Sequence, residues 1–169
     1  MTTYWLTGLP CSGKTTLARA LVARLKQGGR PAVLIDGDEV REALSSDLGF
    51  DSASRAENAR RVAAMAELVS RSEVTAVVAL VSPSRQAREE ARALHESRGR
   101  RFVEVWLSAS LEVCASRDDR GLYARARSGE ALNVTGVDAS YETPARPQFE
   151  VGPGETAEHA AARILGASS

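Results

Sequence analysis

Gly8-Leu9-Pro10-Cys11-Ser12-Gly13-Lys14-Thr15 fits the pattern G-x-x-x-x-G-K-[ST] at every position. The glycines permit a tight turn whose backbone N–H groups point at phosphate oxygens, and a helix opening at the lysine adds its positive end. In such a loop Lys14 reaches the β- and γ-phosphates of ATP or GTP, Thr15 offers its hydroxyl to Mg²⁺, and Thr16 follows in the first turn. The bland alternative is a chance glycine-rich turn, and local context decides between the two. Tyr4 to Thr7 before it reads as a short strand, and Leu17, Leu21 and Leu25, with Ala18 and Val22, mark an amphipathic helix from Lys14 to Gln27 after it. A strand, this loop and a helix together predict a P-loop. Cys11 is a small residue that fits the turn; its place before a helix start would also lower its thiol pKa and make it reactive.

Outward from the loop, short β-type runs alternate with helical patterns. Strands are predicted over Ala32 to Ile35, Thr75 to Val81 and Phe102 to Leu107, and the all-apolar run at 75–81 suits a strand covered on both faces. Helices are predicted over Ser54 to Arg71, after Pro83, over Leu111 to Arg117, and over Glu155 to Leu165. Residues 118–147, rich in Arg, Gly and Pro, carry no sustained period and are expected to form a functional lid. The alternation predicts an α/β fold: a parallel sheet with helices on both faces, an Arg-rich lid, and ligands at the carboxyl ends of the strands.

The 169 residues fit one domain, taken as 1–169. Lys+Arg and Asp+Glu are equal at 22 each, which gives no global field for nucleic acid or a membrane surface. Two cysteines without framework spacing argue against structural disulfides, and no run is long enough for a signal peptide or a membrane span. The expected compartment is the cytoplasm.

The acceptor side starts at Asp36-Gly37-Asp38-Glu39-Val40-Arg41. Carboxylates just past a strand and facing a P-loop can hold Mg²⁺ or take a proton from an attacking hydroxyl. That assigns Asp36 a catalytic and metal role and Asp38 a contact with substrate, with a helix N-cap as the alternative for Asp38. Arg41, Arg55 and Arg61 are candidate anion binders; Arg55 and Asn58, three apart, share a helix face. Ser82, ending the third strand before Pro83, can bond substrate, become phosphorylated, or cap the turn. Arg117, Arg120, Arg125 and Arg127 flank Gly121-Leu122-Tyr123 in the lid, where arginines can neutralise phosphoryl charge.

Together these pieces resemble the adenylylsulfate kinase family. The resemblance rests on G-L-P-C-S-G-K-T-T (8–16), D-G-D-E-V-R (36–41), L-G-F (48–50), R-A-E-N-A-R-R (55–61), V-S-P (81–83), E-V-C-A-S-R-D (112–118), G-L-Y-A-R-A-R-S-G-E (121–130) and T-G-V-D-A-S-Y-E-T-P (135–144). It implies Mg-ATP as phosphoryl donor, adenosine 5′-phosphosulfate as acceptor, 3′-phosphoadenylylsulfate as product and a homodimer as the usual state. By position it implies nucleotide contacts from residues 8–16 and Arg117. It implies substrate contacts from Asp36, Asp38, Arg41, Phe50, Arg55, Asn58, Val81, Ser82, Leu122, Arg125 and Val134, with Phe50 stacked on the adenine. Ser82 is where a phosphoserine intermediate has been assigned in the family; direct in-line transfer is the simpler expectation. Val134 stands where many members carry phenylalanine, and Ala124 replaces the first of two lid lysines. The open rivals are a same-fold kinase acting on another hydroxyl or amine, and a P-loop ATPase or switch without a small-molecule acceptor.

Overall fold

The computed structural model describes residues 1–167; the last two positions of the expected domain lie outside the described residues. Five strands form one parallel sheet: β1 (Thr2–Thr7), β2 (Ala32–Asp36), β3 (Thr75–Ala79), β4 (Arg101–Leu107) and β5 (Phe149–Val151), in the order β2-β3-β1-β4-β5. The helices are α1 (Lys14–Gln27), α2 (Gly37–Leu44), α3 (Ser52–Arg71), α4 (Arg85–Glu96), α5 (Leu111–Ser116), α6 (Leu122–Arg127) and α7 (Ala157–Gly166).

The period of two along β1 divides the core. Tyr4 and Leu6 point to one face, where they meet Leu17, Leu21 and Leu25 of α1 and Ile164 of α7; Trp5 points to the other, with Val62 and Ala66 of α3 and Ala91 of α4. Val77 of β3 joins the first layer, and Ala76 and Val78 the second. Leu21 is fully buried. Truncating such a leucine to alanine costs about 2–5 kcal/mol, which is why the four-residue leucine spacing holds α1 on the sheet.

β1 is central, paired with β3 through Leu6↔Ala79 and with β4 through Thr7↔Trp106. The loops after β1, β2 and β3 therefore open at one edge of the sheet, where the chemistry-bearing sequence falls. Three expectations are corrected. β3 stops at Ala79 rather than Val81: Leu80 still donates its N–H to the Leu6 carbonyl at 3.1 Å, but two residues on Ser82 takes a left-handed φ of 44°. The 118–147 segment contains helix α6, whose two buried residues, Tyr123 and Ala126, are too few to show a period in the sequence. The three-residue strand β5 escaped notice for the same reason.

Candidate active site

Side chains cap the N-termini of α2, α3, α4, α5 and α7. At α1 the cap position is Gly13, in a left-handed conformation with no side-chain bond. The helix that follows the phosphate loop thus keeps its end open to an external anion. Gly8 is demanded by close approach: a Cβ there would sit 2.7 Å from the Leu107 carbonyl and 2.9 Å from Ser12 Oγ. Lys14 Nζ donates to the carbonyls of Gly8 at 3.1 Å and Leu9 at 2.7 Å, and to Ser12 Oγ at 3.4 Å. Burial lowers its pKa to about 8.

Opposite the loop, Asp36 is the N-cap of α2, its Oδ1 accepting from the Asp38 N–H at 2.9 Å. The cap is therefore Asp36 and not Asp38, whose side chain is left to face the cavity. The other oxygen, Oδ2, accepts from Thr15 Oγ1 at 2.7 Å. Gly37 lies between the two aspartates because a Cβ would meet Leu80 Cδ1 at 2.6 Å and the Ala79 carbonyl at 3.1 Å.

A cavity of about 1040 Å³ joins the two sides. It is lined by Pro10 to Thr16, Asp36, Asp38, Arg41, Phe50, Arg55, Asn58, Val81, Ser82, Arg117, Leu122, Arg125 and Val134. Of the expected site residues, Arg61 and Arg127 do not line it, and neither do two of the phosphate loop: Gly8 packs on Leu107, and Leu9 borders a second groove. Gly8 and Leu9 still touch Lys14 through their carbonyls.

Arg41 donates to the carbonyls of Leu48 and Gly49, and Arg55 to those of Phe50 and Asn133. Among the described residues neither guanidinium forms a salt bridge. Burial, and then the like charge of Arg41, lower the pKa of Arg55. Two guanidiniums without a carboxylate partner, one depressed by the other, are a place for an anion. Phe50 is 54% exposed, with the Arg41 guanidinium 4.6 Å and that of Arg55 5.6 Å from its ring centroid. Arg61, by contrast, forks onto Asp47 and also bonds Glu57; it braces the chain between α2 and α3 and leaves the candidate list.

Three buried side chains on this cavity keep a polar atom without a protein partner: Asn58 Oδ1, Ser82 Oγ and Thr135 Oγ1. Buried polar atoms are almost always satisfied, so three orphans in one cavity mark where a polar ligand belongs. Thr135 was missed by residue-by-residue reading; its signal was the stretch T-G-V-D, which carried the resemblance but no assigned role.

The 118–147 segment is tied to the phosphate loop. Tyr123 donates its hydroxyl to the Pro10 carbonyl at 2.8 Å, and its N–H to Asp118 Oδ2 at 2.7 Å. Asp138 accepts from the N–H groups of Asn133 and Val134 at 2.6 Å each. Val134 is buried in a cluster with Ala109, Cys114, Tyr123 and Ala126. Arg117 reaches the Pro153 carbonyl at 2.8 Å. The expected activation of Cys11 is reversed: burial, then the nearby Asp118 carboxylate, push its thiol pKa up.

Comparison with known proteins agrees with this geometry. The family model for adenylylsulphate kinase matches residues 1–152. An adenylyl-sulfate kinase of Vibrio vulnificus is 42% identical over 161 residues, covering 95% of this chain and 77% of the relative. One from Geotalea daltonii is 45% identical over 147 residues, covering 87% and 71%. The Mycobacterium tuberculosis APS kinase in complex with AMPPNP and APS superposes with a TM-score of 0.96 at 37% identity, covering 99% of this chain and 98% of that one. With a matching sheet, a P-loop and an acceptor pocket in one cavity, this chain belongs to the adenylylsulphate kinase family.

Proposed function

We propose that this protein transfers the γ-phosphoryl group of ATP to the ribose 3′-hydroxyl of adenosine 5′-phosphosulfate, giving ADP and 3′-phosphoadenylylsulfate. The observation that carries the reading is that one cavity is lined both by the phosphate loop and by Arg41, Arg55, Asn58, Ser82 and Thr135. A nucleotide-hydrolysing switch needs no such acceptor wall.

Each residue has a role that its chemistry supports. Gly13 and the open end of α1 receive the phosphates, and Lys14 turns from the loop carbonyls to the β- and γ-oxygens. Thr15 and Asp36, two hard oxygen donors already in contact, suit Mg²⁺, which takes one or two carboxylates and completes its shell with phosphates and water. Bound there, Mg²⁺ would neutralise charge on the transferring phosphoryl group. Asp36 and Asp38 supply the carboxylate that receives the proton of the attacking hydroxyl. Arg41 and Arg55 hold the phosphosulfate, and Phe50 stacks on the adenine. Asn58, Ser82 and Thr135 satisfy their orphaned atoms on the substrate's polar edge. Residues 118–147 act as a lid carrying Arg117, Leu122, Arg125 and Val134, within one kinase domain.

Two free cysteines and the use of ATP support a cytoplasmic enzyme, and a homodimer is the assembly we expect. No described helix is long and apolar enough to cross a membrane. ATP turnover measured with and without adenylylsulfate tests the reading.

A further inference from the structure

Arg88 lies on α4, outside the cavity, and is 2% exposed. Its three guanidinium nitrogens go to three different parts of the chain. Nε donates to Glu104 Oε1 on β4 at 2.8 Å; Nη1 donates to the Ser82 carbonyl at 2.6 Å; Nη2 donates to the Glu142 carbonyl at 2.6 Å. Glu142 in turn donates its N–H to the Pro83 carbonyl at 2.9 Å. A second stitch runs beside the first. Tyr141 Oη sits 2.9 Å from Thr7 Oγ1, the last residue of β1 before the phosphate loop, and that hydroxyl donates to the Val81 carbonyl at 2.7 Å. The Arg88 guanidinium lies 5.7 Å from the Tyr141 ring centroid.

Burying a guanidinium is costly unless it is fully paired, and here Glu104 supplies the charge and two carbonyls the remaining bonds. What those bonds hold is unusual. Ser82 is not glycine, yet it has a φ of 44°, a conformation costing about 1–3 kcal/mol that persists only when its surroundings fix it. Its carbonyl is gripped from behind by Arg88 while its Oγ faces the cavity without a partner.

We propose that Arg88 and Tyr141 are positioning residues for phosphoryl transfer, locking the acceptor wall at 81–83 to the closing end of the 118–147 segment. Neither residue lines the cavity. Their effect comes through the placement of Ser82 and through the register of the chain running from Val134 to Glu142. This inference rests on the kinase reading above.

The test is steady-state kinetics of Arg88→Lys, which keeps the charge but replaces three separated nitrogens by one and loses the planar fork. Misplacing reacting groups by about 1 Å costs on the order of 100-fold in rate. The expected result is a kcat lower by roughly 10- to 100-fold with a raised KM for adenylylsulfate and a KM for ATP within about twofold of the parent. Amide exchange at Glu142 in the ligand-free protein should quicken. Ile164→Val, which loosens the opposite core layer, is the control and should leave kcat per folded molecule unchanged. Should Arg88→Lys not fold, Tyr141→Phe removes one hydroxyl of the second stitch and should show the same split, several-fold in kcat. A folded variant with parental kinetics overturns the positioning role while the kinase reading stands. A parent without adenylylsulfate-dependent turnover overturns both, whatever the exchange data show.

Discussion

Thr15 Oγ1 donates to Asp36 Oδ2 at 2.7 Å, joining the last hydroxyl of the phosphate loop to the carboxylate that ends β2. The other Asp36 oxygen caps α2, so one side chain has a structural and a chemical assignment at once. Substitution can separate them. Asp36→Asn keeps a carbonyl oxygen for the Asp38 N–H and should lose little stability, while turnover falls by about 100-fold or more as the charged oxygen is lost. Asp36→Ala should match that loss of rate and also lose about 1 kcal/mol of stability with the cap. Urea melts beside kinetics on both variants check this. A folded Asp36→Asn with near-parental turnover would remove Asp36 from the chemistry.

Lys14 predicts a pH dependence. Its pKa falls from 10.5 to about 8 because burial disfavours the ammonium. The charged form therefore costs the folded protein stability at all pH below about 8. That stability is regained as pH rises from about 8 towards 10.5, where the unfolded chain binds the extra proton. A bound triphosphate restores the ammonium, so ATP binding should take up a proton at about pH 8.5 and almost none at about pH 7, with affinity falling at most about tenfold per pH unit above 8. Titration calorimetry in buffers of different ionisation enthalpy measures the uptake. Lys14→Met should abolish both the uptake and phosphoryl transfer; uptake that survives in this variant would assign the proton elsewhere.

Ser82 decides between two routes. Its Oγ is buried, unpartnered and on the acceptor side of the cavity, which suits a hydrogen bond to substrate. With direct transfer, Ser82→Ala should retain clear turnover and show a KM for adenylylsulfate raised several-fold, as expected for one lost hydrogen bond of about 1 kcal/mol. Complete loss of transfer, with phosphoserine trapped at position 82 in the parent, would establish the covalent route.

The layers were legible because their signals are long and regular: the leucines of α1 and the apolar run of β3 each repeat over several residues. The phosphate loop was legible because its glycines are imposed by backbone approach, as at Gly8 against Leu107. Ser82 was singled out as the residue before Pro83, yet its left-handed φ was not foreseeable, since the device that holds it, Arg88, reads in sequence as one charge on a charged helix. Arg55 and Arg61 are alike in sequence and divided by tertiary context: one bonds only carbonyls beside the cavity, the other is neutralised by Asp47 and Glu57. Thr135 escaped because a threonine shows its worth only when its hydroxyl is buried without a partner. The thiol of Cys11 was misjudged because folding partly buries it and because Asp118, distant in sequence, stands beside it at 3.9 Å.

The central claim is that one cavity carries phosphate from ATP to adenylylsulfate. ADP release should be followed with Mg-ATP alone and with adenylylsulfate added, and the nucleotide products should be separated and weighed. The account predicts that ADP forms in step with 3′-phosphoadenylylsulfate, one for one, and that turnover without adenylylsulfate is slower by about 100-fold or more, because water cannot use the acceptor wall. ADP formation indifferent to adenylylsulfate, or a product mass without the added phosphate, would contradict it.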